Sequence, residues 1–164
     1  MLGYLWRTAP PLLRATLHRD GSLVSRIDRR VRLREIDPNL HMNQAIYAEV
    51  MELGRADWAI RSRAFSRWRS EGVKPVVAEQ RIVYRHELRL RARYTIETRA
   101  LAVEGRLLHM RTLLLVGDHV HAQNDAKILF IGERGVLAAP ETEALCDGFL
   151  VDPLPVDDWR TVTA

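Results

Sequence analysis

Across residues 22–36, Val24, Ile27, Val31, Leu33 and Ile36 stand among charged neighbours, a spacing that predicts an extended, partly exposed strand. The period then changes. From residue 43 to about 69, Ile46, Tyr47, Val50, Met51, Gly54, Trp58 and Phe65 recur at steps of three and four with no proline among them. That pattern predicts a long amphipathic helix with room for one break, and Asn43 has a side chain suited to capping its first turn. After Gly72 and Pro75, alternating apolar positions predict four antiparallel strands over 76–84, 94–103, 107–116 and 120–131. The pairs Glu104-Gly105 and Gly117-Asp118 fit two-residue hairpin turns, because glycine takes the positive φ that such turns require. One strand, one long helix and four strands make an α+β layout in which the helix lies against one face of a strongly curved sheet. A parallel βαβ arrangement is disfavoured.

Composition narrows the class. The chain has 164 residues, 47% of them apolar and 28% charged, which fits one soluble globular domain and excludes intrinsic disorder. A core of this size needs no disulfides, and the lone Cys146 permits no internal framework, so a cytoplasmic setting is expected. We divide the chain into an N-terminal arm (1–21), a central domain (22–135) and a C-terminal helix and arm (136–164). The first segment holds Leu2, Leu5, Trp6, Leu12 and Leu13, but Arg7, Pro10 and Arg14 interrupt it well short of the ~20 apolar residues a span needs, so no stable membrane insertion is expected. The net charge of +4 comes mainly from arginine, with only Lys74 and Lys127 as lysines. Aromatics interleaved with the basic strands, which base stacking uses, are missing, so nucleic acid is not the expected partner. Nor is there a Gly-rich phosphate loop, a Gly-x-Ser-x-Gly elbow or a His-Glu-x-x-His zinc helix.

The segment joining the first strand to the helix carries the chemistry. Asp37, His41 and Asn43 put a carboxylate, an imidazole and an amide within seven residues. A strand-to-helix turn sets such groups beside the helix's unpaired amides, where partial positive charge favours a developing oxyanion. Asp37 can then act as general base on water or as nucleophile toward an acyl carbon. The same residues also make ordinary turn sequence, with His41 packing and Asn43 capping. Glu52 and Arg55 are spaced for an i, i+3 ion pair. Arg85, Arg89, Arg91 and Arg93 are spaced either to meet phosphates or to protect a strand edge. His119 and His121 share a strand face, but no third ligand accompanies them, so no metal site is expected.

The run Asp37-x-x-x-His41-x-Asn43-x-x-x-Tyr47, followed by Glu52-x-x-Arg55 and by Ile82-Val83-Tyr84, resembles the hot-dog thioesterases of the 4-hydroxybenzoyl-CoA thioesterase type. With leucine before the histidine, it most resembles proteins like thioesterase superfamily member six. The resemblance spans about residues 25–131. It implies a hot-dog fold and an acyl-CoA thioesterase, with Asp37 as the catalytic carboxylate and His41 and Asn43 beside it. Tyr47, Arg89 and Arg91 would contact the acyl-CoA substrate. No cofactor is implied, and the acyl channel would form between subunits of a homodimer or tetramer. Two positions depart from the family pattern: Leu40 stands where many members have glycine, and Gln44 where a second asparagine is usual. A leucine there predicts a turn geometry different from glycine's. The alternative reading is therefore a non-catalytic hot-dog protein that binds acyl groups or a protein partner.

Overall fold

The computed structural model describes residues 20–151, so the arm expected at 1–21 lies almost wholly outside the described residues, as does the proline-rich tail from 152 onward. Strand β1 is Val24–Arg30, and a 3-10 turn, Leu33–Glu35, follows it. Two helices come next, α1 at Gln44–Arg61 and α2 at Ala64–Ser70. Strands β2 (Lys74–Tyr84), β3 (Arg93–Glu104), β4 (Leu107–Val116) and β5 (His119–Gly132) follow. A short strand β6 (Gly135–Val136) and helix α3 (Ala139–Cys146) complete the described chain. The sheet is antiparallel, in the order β1-β3-β4-β5-β2, with β6 on the β5 edge.

Expected boundaries shift at three places, for local reasons. The strand predicted over 22–36 stops at Arg30, because Val31 exchanges backbone bonds with Arg91 and Ala92 instead. The chain then turns as the buried Glu35 carboxylate accepts from the Arg32 amide at 2.9 Å. The helix predicted over 43–69 breaks at Ser62 and Arg63, where Arg63 takes the left-handed conformation (φ 67°) common just past a helix end. At the first hairpin the two turn residues are Gly105 and Arg106, one position later than expected, since Glu104 still pairs with Leu107.

Helix α1 lies across the inner face of the sheet, and one position lets it approach closely. A Cβ on Gly54 would come within 2.5 Å of the Thr98 hydroxyl and 2.8 Å of Ile96. Beneath that contact, Ser25, Thr98, Thr112 and Asn124 form one register row across β1, β3, β4 and β5. All four are buried. Buried polar groups need partners, and here they have them. The Ser25 hydroxyl donates to Asp57, Thr98 and Thr112 share a bond of 3.1 Å, and Asn124 Oδ1 accepts from Arg55 at 2.9 Å.

The row divides the apolar core in two. On the side of the α1 N-terminus, Val31, Met42, Tyr47, Val50, Met51, Ile96, Leu114 and Ala122 pack together. On the other side, Trp58, Trp68, Ala100, Met110, Ala126, Phe130, Leu145 and Cys146 form the second cluster. Each inner strand thus runs from one cluster, through a polar residue, into the other.

Candidate functional site

The turn from 36 to 43 is closed by its own backbone. Asp37 and His41 are joined by an amide-to-carbonyl bond of 2.9 Å, the Leu40 amide donates to the Asp37 carbonyl at 3.0 Å, and Ile36 bridges Met42. Closing so tight a loop requires Leu40 to adopt φ 64°. Leucine therefore takes a left-handed conformation of the kind that favours glycine. Its side chain stays in solvent, 68% exposed, so burial does not offset the strain of that conformation.

That path aims the carboxylate. Asp37 Oδ1 accepts from the Asn39 amide at 2.9 Å, and Oδ2 lies 3.4 Å from His41 Nδ1. One oxygen is held by the loop, while the other faces an imidazole and a cavity. Asn43 caps α1, its Oδ1 accepting from the Ala45 amide at 2.9 Å. The preceding amide, on Gln44, has no backbone or side-chain acceptor among the described residues, so the helix start keeps a donor available.

A cavity of about 510 Å³ opens over this arrangement, lined by Asp37, His41, Met42, Gln44, Tyr47, Tyr84, Arg85, His86 and Glu87. Its volume is typical of a small-molecule site. The wall beyond β2 is held in place by Leu88, which is buried. Leu88 accepts from the Met42 amide at 2.7 Å and donates to the Tyr47 hydroxyl at 3.1 Å. The Tyr47 oxygen therefore acts as acceptor to Leu88, and its own hydrogen remains available to donate. Burial raises the Tyr47 pKa above the ordinary phenol value, so that hydrogen stays in place at neutral pH. Its ring meets Tyr84 edge-on, with centroids 5.1 Å apart.

The candidate residues from the sequence thus separate. Asp37, His41 and Tyr47 line one cavity, and Asn43 shapes its edge as the helix cap. Arg89 and Arg91 do not line it. The backbone of Arg89 bridges His41, but its guanidinium is exposed and paired with Glu87. Arg91 sits in a turn at φ 67°, its amide on Val31 and its carbonyl on Arg30. Arg85 is the member of that arginine group at the cavity. The sequence reading missed Tyr84, His86 and Glu87 as lining residues. The signal available for Tyr84 was its alternation with Ile82 on an inward strand face.

The remaining candidates resolve similarly. Glu52 is exposed on α1, while Arg55 turns inward to Asn124. His121 approaches the Glu87 carbonyl at 3.2 Å and stacks edge-on with His86. No group of three or more metal-ligating side chains occurs among the described residues. A larger groove of about 910 Å³ lies among α2, α3 and the turn from β5 to β6, where Arg67, Arg134 and Glu141 are engaged by the protein itself. There Arg67 donates to the carbonyls of Ala144 and Asp147, and Glu141 accepts from the Ala138 amide. No described helix is long and apolar enough to cross a membrane.

Comparison with known proteins places this geometry. The model of the thioesterase-like superfamily matches residues 31–149. No curated protein matches the chain. Among solved structures, the probable thioesterase YbaW from Escherichia coli is similar at TM-score 0.70 and 21% identity, covering 77% of this chain and 98% of that one. A hypothetical protein from Staphylococcus aureus, solved in complex with CoA, is similar at TM-score 0.63 and 17% identity, covering 86% and 95%. DHNA-CoA thioesterase from the same organism is similar at TM-score 0.60 and 13% identity, covering 76% and 89%.

Proposed function

Because the chain belongs to the thioesterase-like superfamily and has the hot-dog fold, a helix wrapped by a curved antiparallel sheet, we propose that it is an acyl-CoA thioesterase acting through Asp37. The observation that carries this reading is the aimed carboxylate. Asp37 has one oxygen on the Asn39 amide and the other toward His41, at the mouth of a cavity that also receives the start of α1.

In this reading the thioester carbonyl lies between Asp37 Oδ2 and the Gln44 amide. As general base, Asp37 takes a proton from water while the water oxygen bonds to the carbonyl carbon. The resulting oxyanion is met by the amide and the positive end of α1. When the C–S bond breaks, the thiolate takes up the proton, releasing free acid and CoA. As nucleophile, Asp37 would instead displace the thiolate and form an acyl anhydride that water then opens. Tyr47 and Arg85 bind at the cavity wall in either route. No cofactor takes part.

The finer placement, within the 4-hydroxybenzoyl-CoA thioesterase type and near proteins like superfamily member six, is supported by the spacing from Asp37 to Tyr47 and on to Arg55. A homodimer or higher oligomer belongs to the same proposal. The feature that supports it is β2, an edge strand of 11 residues with Val76, Val77 and Tyr84 exposed. An open edge of this length is a ready template for another chain, and sedimentation as a monomer at micromolar concentration would count against it. A cytoplasmic location is proposed from the single cysteine, whose thiol burial pushes up to about 12.

The decisive experiment is thiol release from acetyl-, medium-chain, long-chain and aromatic acyl-CoA, run on the wild type beside Asp37→Asn. We expect turnover by the wild type and a loss of about a thousandfold or more in kcat/KM for the variant, with an unchanged circular dichroism spectrum. Equal kcat/KM would remove Asp37 from the mechanism. Tight binding with no hydrolysis of any substrate would select the non-catalytic alternative.

A further inference from the structure

We infer that Arg55, held against Asn124, sets the acyl length this site accepts, so that the preferred substrates are thioesters of short acyl groups, about six carbons or fewer. The inference rests on the thioesterase reading above and deepens it.

Two elements run from the cavity to this pair. On β2, the cavity-lining Tyr84 is followed two residues back on the same face by Ile82, roughly 7 Å away by strand rise. The register partner of Ile82 is Asn124. On α1, Tyr47 lines the cavity and Arg55 comes about two turns later. Helical side chains lean toward the helix N-terminus, so the long Arg55 side chain reaches back toward the cavity. Its Nη1 donates to Asn124 Oδ1 at 2.9 Å, and Asn124 Nδ2 donates to the Arg81 carbonyl at 3.4 Å.

On the Tyr47 side of this crossing, Met51, in the cluster that contains Tyr47, and Ile82, packed against that cluster, supply apolar surfaces. At the crossing they end. Asn124 is fully buried, so an acyl tail that passes it must part the guanidinium from a carbonyl oxygen that has no solvent to replace it. A tail that ends earlier leaves the bond between Arg55 and Asn124 intact. The large aromatic surfaces of Trp58, Trp68 and Phe130, which would otherwise suit a long chain, lie beyond the row.

The test is a saturated series from acetyl- to palmitoyl-CoA, read both as kcat/KM by thiol release and as dissociation constant by equilibrium dialysis, for wild type, Arg55→Met and Arg55→Gln. The glutamine can still donate to Asn124, so it covers the case in which the methionine variant does not fold. We expect wild-type kcat/KM to fall about tenfold or more beyond six to eight carbons, and the fall to move about four carbons longer in Arg55→Met and by fewer carbons in Arg55→Gln, which keeps a shorter, uncharged donor. Variants with the wild-type length profile would overturn the inference while leaving the thioesterase reading intact, and so would a wild type that handles palmitoyl- and hexanoyl-CoA equally. If no substrate is hydrolysed, the thioesterase reading fails, and the same length profile is judged on the dissociation constants. Binding that does not depend on length then overturns the inference as well.

Discussion

The two halves of the core are built from similar apolar material and do opposite things with it. On the Asp37 side a cavity of about 510 Å³ opens onto the carboxylate and the start of α1. On the far side, aromatic rings meet directly, Trp68 with Phe130 at 5.0 Å and Trp58 with Trp68 at 6.2 Å between centroids. Trp58 also donates to the Leu23 carbonyl at 2.9 Å, tying the helix to the entrance of β1. The difference shows a division of labour across the row from Ser25 to Asn124. One half supplies stability, and the other can then carry a site open at Asp37.

The hardest way to break that division is to damage the stable half and look for an effect in the other. Trp58 is fully buried, so Trp58→Ala should cost about 3–5 kcal/mol of stability, measured by urea or thermal unfolding. If the halves are separate, kcat/KM per folded molecule should stay within about threefold of wild type. A variant that unfolds little, or one that folds but loses the acyl-length preference, would show that the row does not separate them.

This division was only half legible in the sequence. The helical spacing placed Tyr47, Met51, Gly54 and Trp58 on one element, and Leu107–Val116 is a strand with the bounds that alternation predicted. What periodicity could not show was that Ser25, Thr98, Thr112 and Asn124 share a row, because register is a relation between strands. The strand predicted over 22–36 overran for a related reason: a carboxylate, Glu35, turns the chain by accepting from Arg32. At the site, the chemistry of Asp37, His41 and Asn43 could be read as a local turn. The far wall could not. Which of Arg85, Arg89 and Arg91 meets the cavity depends on a long-range bridge between His41 and Arg89, which directs the Arg89 side chain outward to Glu87.

A smaller change on the row itself should touch both halves at once. In Gly54→Ala the new methyl would meet the Thr98 hydroxyl at 2.5 Å and Ile96 at 2.8 Å, so α1 must lift from the sheet. Overpacking of this kind costs about 1–3 kcal/mol, partly offset by the roughly 1 kcal/mol that alanine gains over glycine inside a helix. A net loss of up to about 2 kcal/mol is expected, with KM raised because Tyr47 and Asp37 shift relative to β2. Unchanged KM together with reduced stability would show that the site does not feel the helix position.

The smallest effect, and the one with opposite sign, comes from the strained turn. Leu40 holds φ 64° with its side chain in solvent, so little burial is lost when the side chain is removed. The left-handed conformation costs a non-glycine residue roughly 1–2 kcal/mol, while glycine adds roughly 0.5–1 kcal/mol of unfolded-state freedom. Leu40→Gly should therefore stabilise the protein by about 0.5–1 kcal/mol. Because glycine adopts a φ of 64° freely, the Asn39 amide should still hold Asp37, and kcat/KM should change by less than about twofold. Stability and activity are measured on the same preparation, since the two outcomes separate the explanations. A loss of stability would mean that Leu40 makes a contact worth more than its strain. A large gain in activity at unchanged stability would mean that the leucine side chain restricts the cavity mouth, in which case the departure from glycine acts on substrate entry and not on the fold.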